Sequence, residues 1–179
     1  MATKDQLLDM TPVGMIFKVL NTSADTGGKS LDLEWEILPG CNMKDPLIHI
    51  HPNAVESYEM LDGEMEFFVK DKWITLKKGE RLAVEKGEYH SFRNSTDHVA
   101  KVFNTHQPAL RMENYFEGIC KAVSEITNNG EKELKWGLKS KMYMCVVLNE
   151  FPEEIVMKTP PAFIIKTMAF IGRLRGIKL

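Results

Sequence analysis

His49-Ile50-His51-Pro52-Asn53-Ala54-Val55-Glu56 sets two imidazoles one residue apart and brings a carboxylate shortly after them. A third histidine arrives in Gly87-Glu88-Tyr89-His90, with Asn94 just beyond it. Three imidazoles and a carboxylate are a ligand set for a transition metal. Alternate side chains of a strand share a face, so His49 and His51 point the same way. Pro52-Asn53 then turns the chain, Glu56 begins a neighbouring strand, and His90 comes from a strand far along the sequence.

Strands surround this stretch on both sides. Upstream, Leu31, Leu33, Trp35 and Ile37 alternate with Asp32, Glu34 and Glu36, a period of two with one apolar face and one wet face. Residues 13–21 read as an earlier strand, separated from it by a polar loop with Gly27-Gly28, and Pro39-Gly40 ends the alternating run. Downstream, 56–61 form a strand, and Asp62-Gly63 is a hairpin turn signal. Residues 64–69 and 73–76 read as a hairpin closed by Lys70-Asp71-Lys72. Strands at 81–84, 88–92 and 98–104 complete the run. Many short strands with glycine-containing turns predict an all-β barrel or jelly roll.

The order of these residues resembles the two motifs of the cupin superfamily. His49, His51, Glu56 and Gly63 fall on the H, H, E and G of the first motif. Met43 stands where its leading glycine is usual. Gly79, Gly87, His90 and Asn94 fall on the G, G, H and N of the second, with Glu85 in place of the usual proline. Both departures are at turn positions and every ligand position is filled. The resemblance implies a double-stranded β-helix (jelly-roll) barrel over residues 1–110. It also implies one divalent metal ion, whether Fe, Mn, Ni, Co or Zn, held by His49, His51, Glu56 and His90. Oxygenases, isomerases and related enzymes are among the activities it implies.

Beyond residue 110 the pattern changes. Tyr115, Phe116, Ile119, Val123 and Ile126 recur at three- and four-residue spacing, which predicts a helix stopped by Asn128-Asn129-Gly130. A second helix is expected over 138–149 and a third from Thr159-Pro160-Pro161 to about Arg175. Residues 111–179 are thus a helical extension, expected to pack on the barrel or on a second subunit. Its last helix is apolar on nearly every side and its charges are all basic. The expectation is burial in a contact, with a homodimer the leading form and membrane-surface contact the alternative.

Bulk composition narrows the setting. The chain has 179 residues, 44% hydrophobic and 27% charged, with a net charge of -2. That balance gives no electrostatic case for a nucleic-acid partner. Three widely spaced cysteines form no CxxC pair and no disulfide framework. No secretory signal and no run of roughly 18 apolar residues is seen, so the expected setting is cytoplasmic.

Strand parity puts Tyr58 and Met60 on the face of Glu56, and Phe92 on that of His90. Packing is the simplest role for all three. Tyr58 also has a hydroxyl that needs a partner if buried, and with Glu56 it is the candidate catalytic residue. Glu59 should be solvated, and His98 and His106, at the ends of the last strand, should be surface histidines. The function these readings favour is a metal-dependent oxygenase or isomerase acting on a small organic molecule. The alternatives are a non-catalytic ligand-binding or sensing module, or a structural one.

Overall fold

The computed structural model describes residues 2–44, 46–127 and 137–178. Strands run in chain order as β1 (Leu7–Met10), β2 (Met15–Asn21), β3 (Leu31–Ile37), β4 (His49–Ile50), β5 (Val55–Asp62) and β6 (Glu64–Val69). They continue as β7 (Lys72–Lys77), β8 (Arg81–Val84), β9 (His90–Arg93), β10 (Ala100–Gln107) and β11 (Val156–Met157). Three helices follow the main run of strands: α1 (Met112–Ile126), α2 (Leu138–Glu150) and α3 (Ala162–Leu174).

The strands form two antiparallel sheets, in the orders β1-β2-β3-β10-β5-β8 and β11-β4-β9-β6-β7. They enclose one core, to which both sheets contribute. The expected jelly roll is therefore present as two sheets rather than as one continuous ring of ladders. In β3 the alternation is realised: Leu31, Leu33, Trp35 and Ile37 are buried and the acidic residues between them are half-buried. Each fully buried large apolar side chain contributes about 1.5–3 kcal/mol. Trp35 anchors the interior, with the rings of Phe17 at 4.8 Å, Phe92 at 5.2 Å and Tyr58 at 5.7 Å between centroids.

Several sequence expectations are corrected. Asp62-Gly63 is not a hairpin turn, because β5 and β6 belong to different sheets. Gly63 instead carries the chain across with φ +73°, where a Cβ would stand 3.3 Å from the Val99 carbonyl oxygen. The 64–77 hairpin is real, and its turn residues Lys70 and Asp71 both take left-handed backbone (φ 50° and 59°) without a glycine. β1 and β11 carry too few residues to show a period. The last strand extends past Asn104 to Gln107.

The helices fall where their spacing predicts, while the Asn128-Asn129-Gly130 stop lies outside the described residues. α1 rests on β1 and α2, and sends Phe116 against Phe17 and Trp35. α3 packs on α2 along one narrow face of Ile165, Ala169 and Gly172. The expected burial of α3 on nearly every side is not what this chain alone provides: Phe163, Phe170 and Leu174 are exposed. Among the described residues no helix is long and apolar enough to cross a membrane.

Candidate metal centre

Both sheets contribute to the site. β4 pairs with β9 at His49 and His90, which sets two imidazoles opposite each other with centroids 4.2 Å apart. His51 follows β4, and Glu56 comes from β5 in the other sheet. One donor atom from each of His49, His51, Glu56 and His90 lies within 4.8 Å of the others. His51, Glu56 and His90 are buried, and His49 alone is partly exposed, so the cluster opens at its edge.

The hydrogen bonds decide what the cluster can hold. Each of the three imidazoles has its Nδ1 against a backbone carbonyl: His49 on Leu47 at 2.7 Å, His51 on Glu154 at 2.6 Å and His90 on Glu88 at 2.9 Å. A carbonyl oxygen only accepts, so Nδ1 carries the proton and donates in every case. Nε2 of a neutral ring then presents a lone pair. Yet Nε2 of His51 and of His90 lie 3.0 and 2.8 Å from the same Glu56 Oε2. Lone pairs do not face a carboxylate at that distance without a positive charge between them, either protons or a cation. Backbone-pinned Nδ1 with inward Nε2 is the arrangement that orients histidines toward a metal. The donor set therefore fits a divalent transition-metal ion.

Electrostatics point the same way. Burial, with His90 and His51 adding to it, holds His49 well below the usual imidazole range, so this ring stays neutral. Burial also opposes charge on His51, but the Glu56 carboxylate outweighs it and the pKa is raised. Burial would push Glu56 up, yet the imidazoles of His106 and His51 hold it well below the usual carboxylate range. The centre thus contains an ionised carboxylate among imidazoles of divided preference.

His106 corrects the sequence reading. It is fully buried, not a surface residue, and its Nε2 sits 3.2 Å from Glu56 Oε1. The approach is not aligned for a hydrogen bond, and neither ring nitrogen has a hydrogen-bond partner among the described residues. Burial keeps this ring's pKa low. Asn104, two residues earlier on the same face, donates from Nδ2 to Glu56 Oε1 at 2.8 Å. In the ladder His106 faces Glu56 and Asn104 faces Tyr58. The Tyr58 hydroxyl is buried without a hydrogen-bond partner, and burial followed by the Glu56 charge raises its pKa well above the usual phenol range. By contrast Glu59 pairs with Arg81 at 2.9 Å, and His98 is exposed, as expected.

Sequence reasoning missed Asn104, His106 and Glu154. The first two share strand parity with the apolar Ala100 and Val102, a signal that was available. Glu154 acts through its carbonyl, which no side-chain pattern reveals. It lies in the segment after α2, where β11 pairs with β4, Lys158 N donates to Ile48 O at 2.9 Å, and Asn53 Nδ2 donates to Glu153 O at 3.0 Å.

Residues 33–106, which span all four ligand positions, match the family model of the cupin domain. Over that stretch the chain is similar to the cupin domain. Similar solved structures include an uncharacterized conserved protein with a double-stranded β-helix domain from Klebsiella pneumoniae. It is 21% identical over 54% of this chain and 78% of that one, with a TM-score of 0.46. A predicted oxalate decarboxylase from Thermotoga maritima is 22% identical over 52% of this chain and 80% of that one, with a TM-score of 0.49. A sugar phosphate isomerase of the cupin superfamily from Silicibacter pomeroyi is 19% identical over 59% and 66%, with a TM-score of 0.47. No curated protein matches the sequence.

Proposed function

We propose that this protein is a metal-dependent enzyme that moves a proton on a small organic molecule, in isomerase or oxygenase chemistry. The observation that supports the reading is the group of buried polar atoms without hydrogen-bond partners among the described residues beside the candidate ligands: Tyr58 Oη, Asn104 Oδ1 and both nitrogens of His106. Buried polar atoms are rarely left unpaired, and where they gather beside ionisable groups they mark places where a ligand supplies the partner.

When bound, the metal supplies Lewis acidity that makes a neighbouring C–H or O–H more acidic. The chain's own residues do the rest. His106, kept neutral by burial, accepts the proton and returns it to the adjacent atom. Tyr58, kept protonated, donates a hydrogen bond to the oxygen where charge develops. Glu56 is a ligand whose second oxygen is fixed by Asn104.

The test is deuterium exchange from heavy water into small hydroxyketones, diketones and enols. Apo-protein is loaded in turn with each divalent metal, and oxygen uptake is followed in parallel. Exchange or turnover that falls at least about 100-fold in Tyr58→Phe at saturating metal supports the assignment. Tight metal binding with neither exchange nor oxygen uptake for any metal would replace it with a ligand-binding module.

A further inference from the structure

Among the described residues, α3 carries a surface that neither the sheets nor the other helices use. Phe163 is 68% exposed, Phe170 63% and Leu174 73%, with Ile164 at 38% and Ile171 at 37%. Their spacing in the helix places them on one continuous face, opposite the packed residues Ile165, Ala169 and Gly172. Gly172 allows the close approach to α2: a Cβ there would meet Val146 Cγ2 at 3.1 Å. The helix is thus held firmly on one side and bare on the other.

The charges around the bare face have one sign. Residues 158–178 hold Lys158, Lys166, Arg173, Arg175 and Lys178 and no acidic residue, in a chain whose net charge is -2. Arg173 is engaged with Glu150 at 3.1 Å, and Lys158 lies over the Tyr89 ring at 5.2 Å. Lys166, Arg175 and Lys178 are exposed. Beyond the helix end, Arg175, Gly176 and Ile177 line a cleft of about 340 Å³ with Lys139, Met142 and Tyr143, which adds another cation at the same end.

We propose that α3 lies in the surface of an anionic lipid bilayer, with Phe163, Phe170 and Leu174 in the acyl boundary and Lys166, Arg175 and Lys178 among the headgroups. An aromatic and aliphatic face rimmed by lysine and arginine is the chemistry of an interfacial helix. Thirteen residues make α3 too short to span the bilayer. A symmetric pair of these faces would set each basic rim against its own copy, which disfavours a second chain as the occupant.

The experiment uses the full-length protein with vesicles of phosphatidylcholine, with and without phosphatidylserine, scored by co-sedimentation. Binding is expected only with phosphatidylserine, weakened by salt. It should fall at least about tenfold in Phe170→Ser/Leu174→Ser and in Lys166→Glu/Arg175→Glu. All four positions are exposed, so circular dichroism should match the unmodified protein. Equal binding to both vesicles, or none to either, overturns the proposal. So does a solution dimer that Phe170→Ser/Leu174→Ser dissociates in a protein that ignores lipid.

Discussion

The two sheets and the helical extension treat apolar surface differently. In the sheets nearly every inward position is filled and the apolar residues vanish into one core; in α3, three large apolar side chains stand in water. Closed packing fixes the side chains of the candidate site in place, whereas the bare face of α3 leaves apolar surface in water. The division does not follow the chain boundary near residue 110. The segment after α2 belongs with the sheets: β11 extends the sheet that carries His49 and His90, and the Glu154 carbonyl orients His51 just beyond it.

The largest effect should come from the ligands. Glu56→Gln removes the only carboxylate from a centre whose imidazoles converge on it. Metal affinity should drop by more than the roughly 10–100-fold typical of changes outside the ligand set. Calorimetric titration or metal analysis of protein purified without added metal reads this directly, and unchanged affinity would remove the metal assignment.

Two prolines test where the extension divides. Lys158→Pro deletes the N–H that bonds Ile48 O, next to the ligand strand. It should loosen β11 and the Glu154 carbonyl, and weaken metal binding by about 10-fold or more. Lys166→Pro strikes the middle of α3, which packs chiefly on α2, and should cost helical signal while leaving metal affinity within about twofold. Equal losses in both would mean that the extension acts as one unit on the site.

His106→Leu probes the inner side of the centre. It replaces a buried ring without hydrogen-bond partners by an apolar side chain beside Phe116, so stability should stay within about 2 kcal/mol. Metal affinity should still fall by about tenfold, because Glu56 loses the imidazole that faces its second oxygen. A wild-type affinity would reduce His106 to packing.

How legible this was in the sequence depends on how many residues report each feature. β3 was plain because four apolar residues repeat a period that water enforces, and the candidate ligands were plain because only a few residue types bind metals. His106 was readable in principle from its parity with Val102, but a histidine at a strand end looks the same whether the strand stops before or after it. β11, two residues long, has no period, and its value lies in backbone groups that every residue carries. The exposure of α3 depends on which neighbours arrive, and composition does not state that.

Glycines separate the two kinds of turn. Gly63→Ala adds left-handed strain and a Cβ 3.3 Å from Val99 O, whereas Gly40→Ala, with φ +77°, meets open space. The first should cost about 2 kcal/mol and the second about 1 kcal/mol. Denaturant midpoints at equal slope measure the difference, and equal costs would show that the sheet crossing at Gly63 yields easily.

The smallest effect is on pH dependence, and its sign follows from the imidazoles. His51 is raised in the folded protein, so its stabilisation is complete below the unfolded value of about 6.5 and is lost as pH rises through the folded one. His49 and His106 are held low, so between their folded values and about 6.5 the unfolded chain binds more protons, and stability climbs with pH. Opposed slopes meet near the unloaded imidazole value. Chelator-treated protein should therefore melt highest near the unfolded imidazole value of about 6.5 and melt lower as pH rises through the folded value of His51. A bound divalent ion replaces the proton on His51, so the metal-loaded protein should show no such decline and should bind metal more tightly as pH rises. A melting temperature of the chelated protein that keeps climbing as pH rises above about 6.5 would mean that His51 is neutral beside Glu56. The charge between them would then have to come from elsewhere.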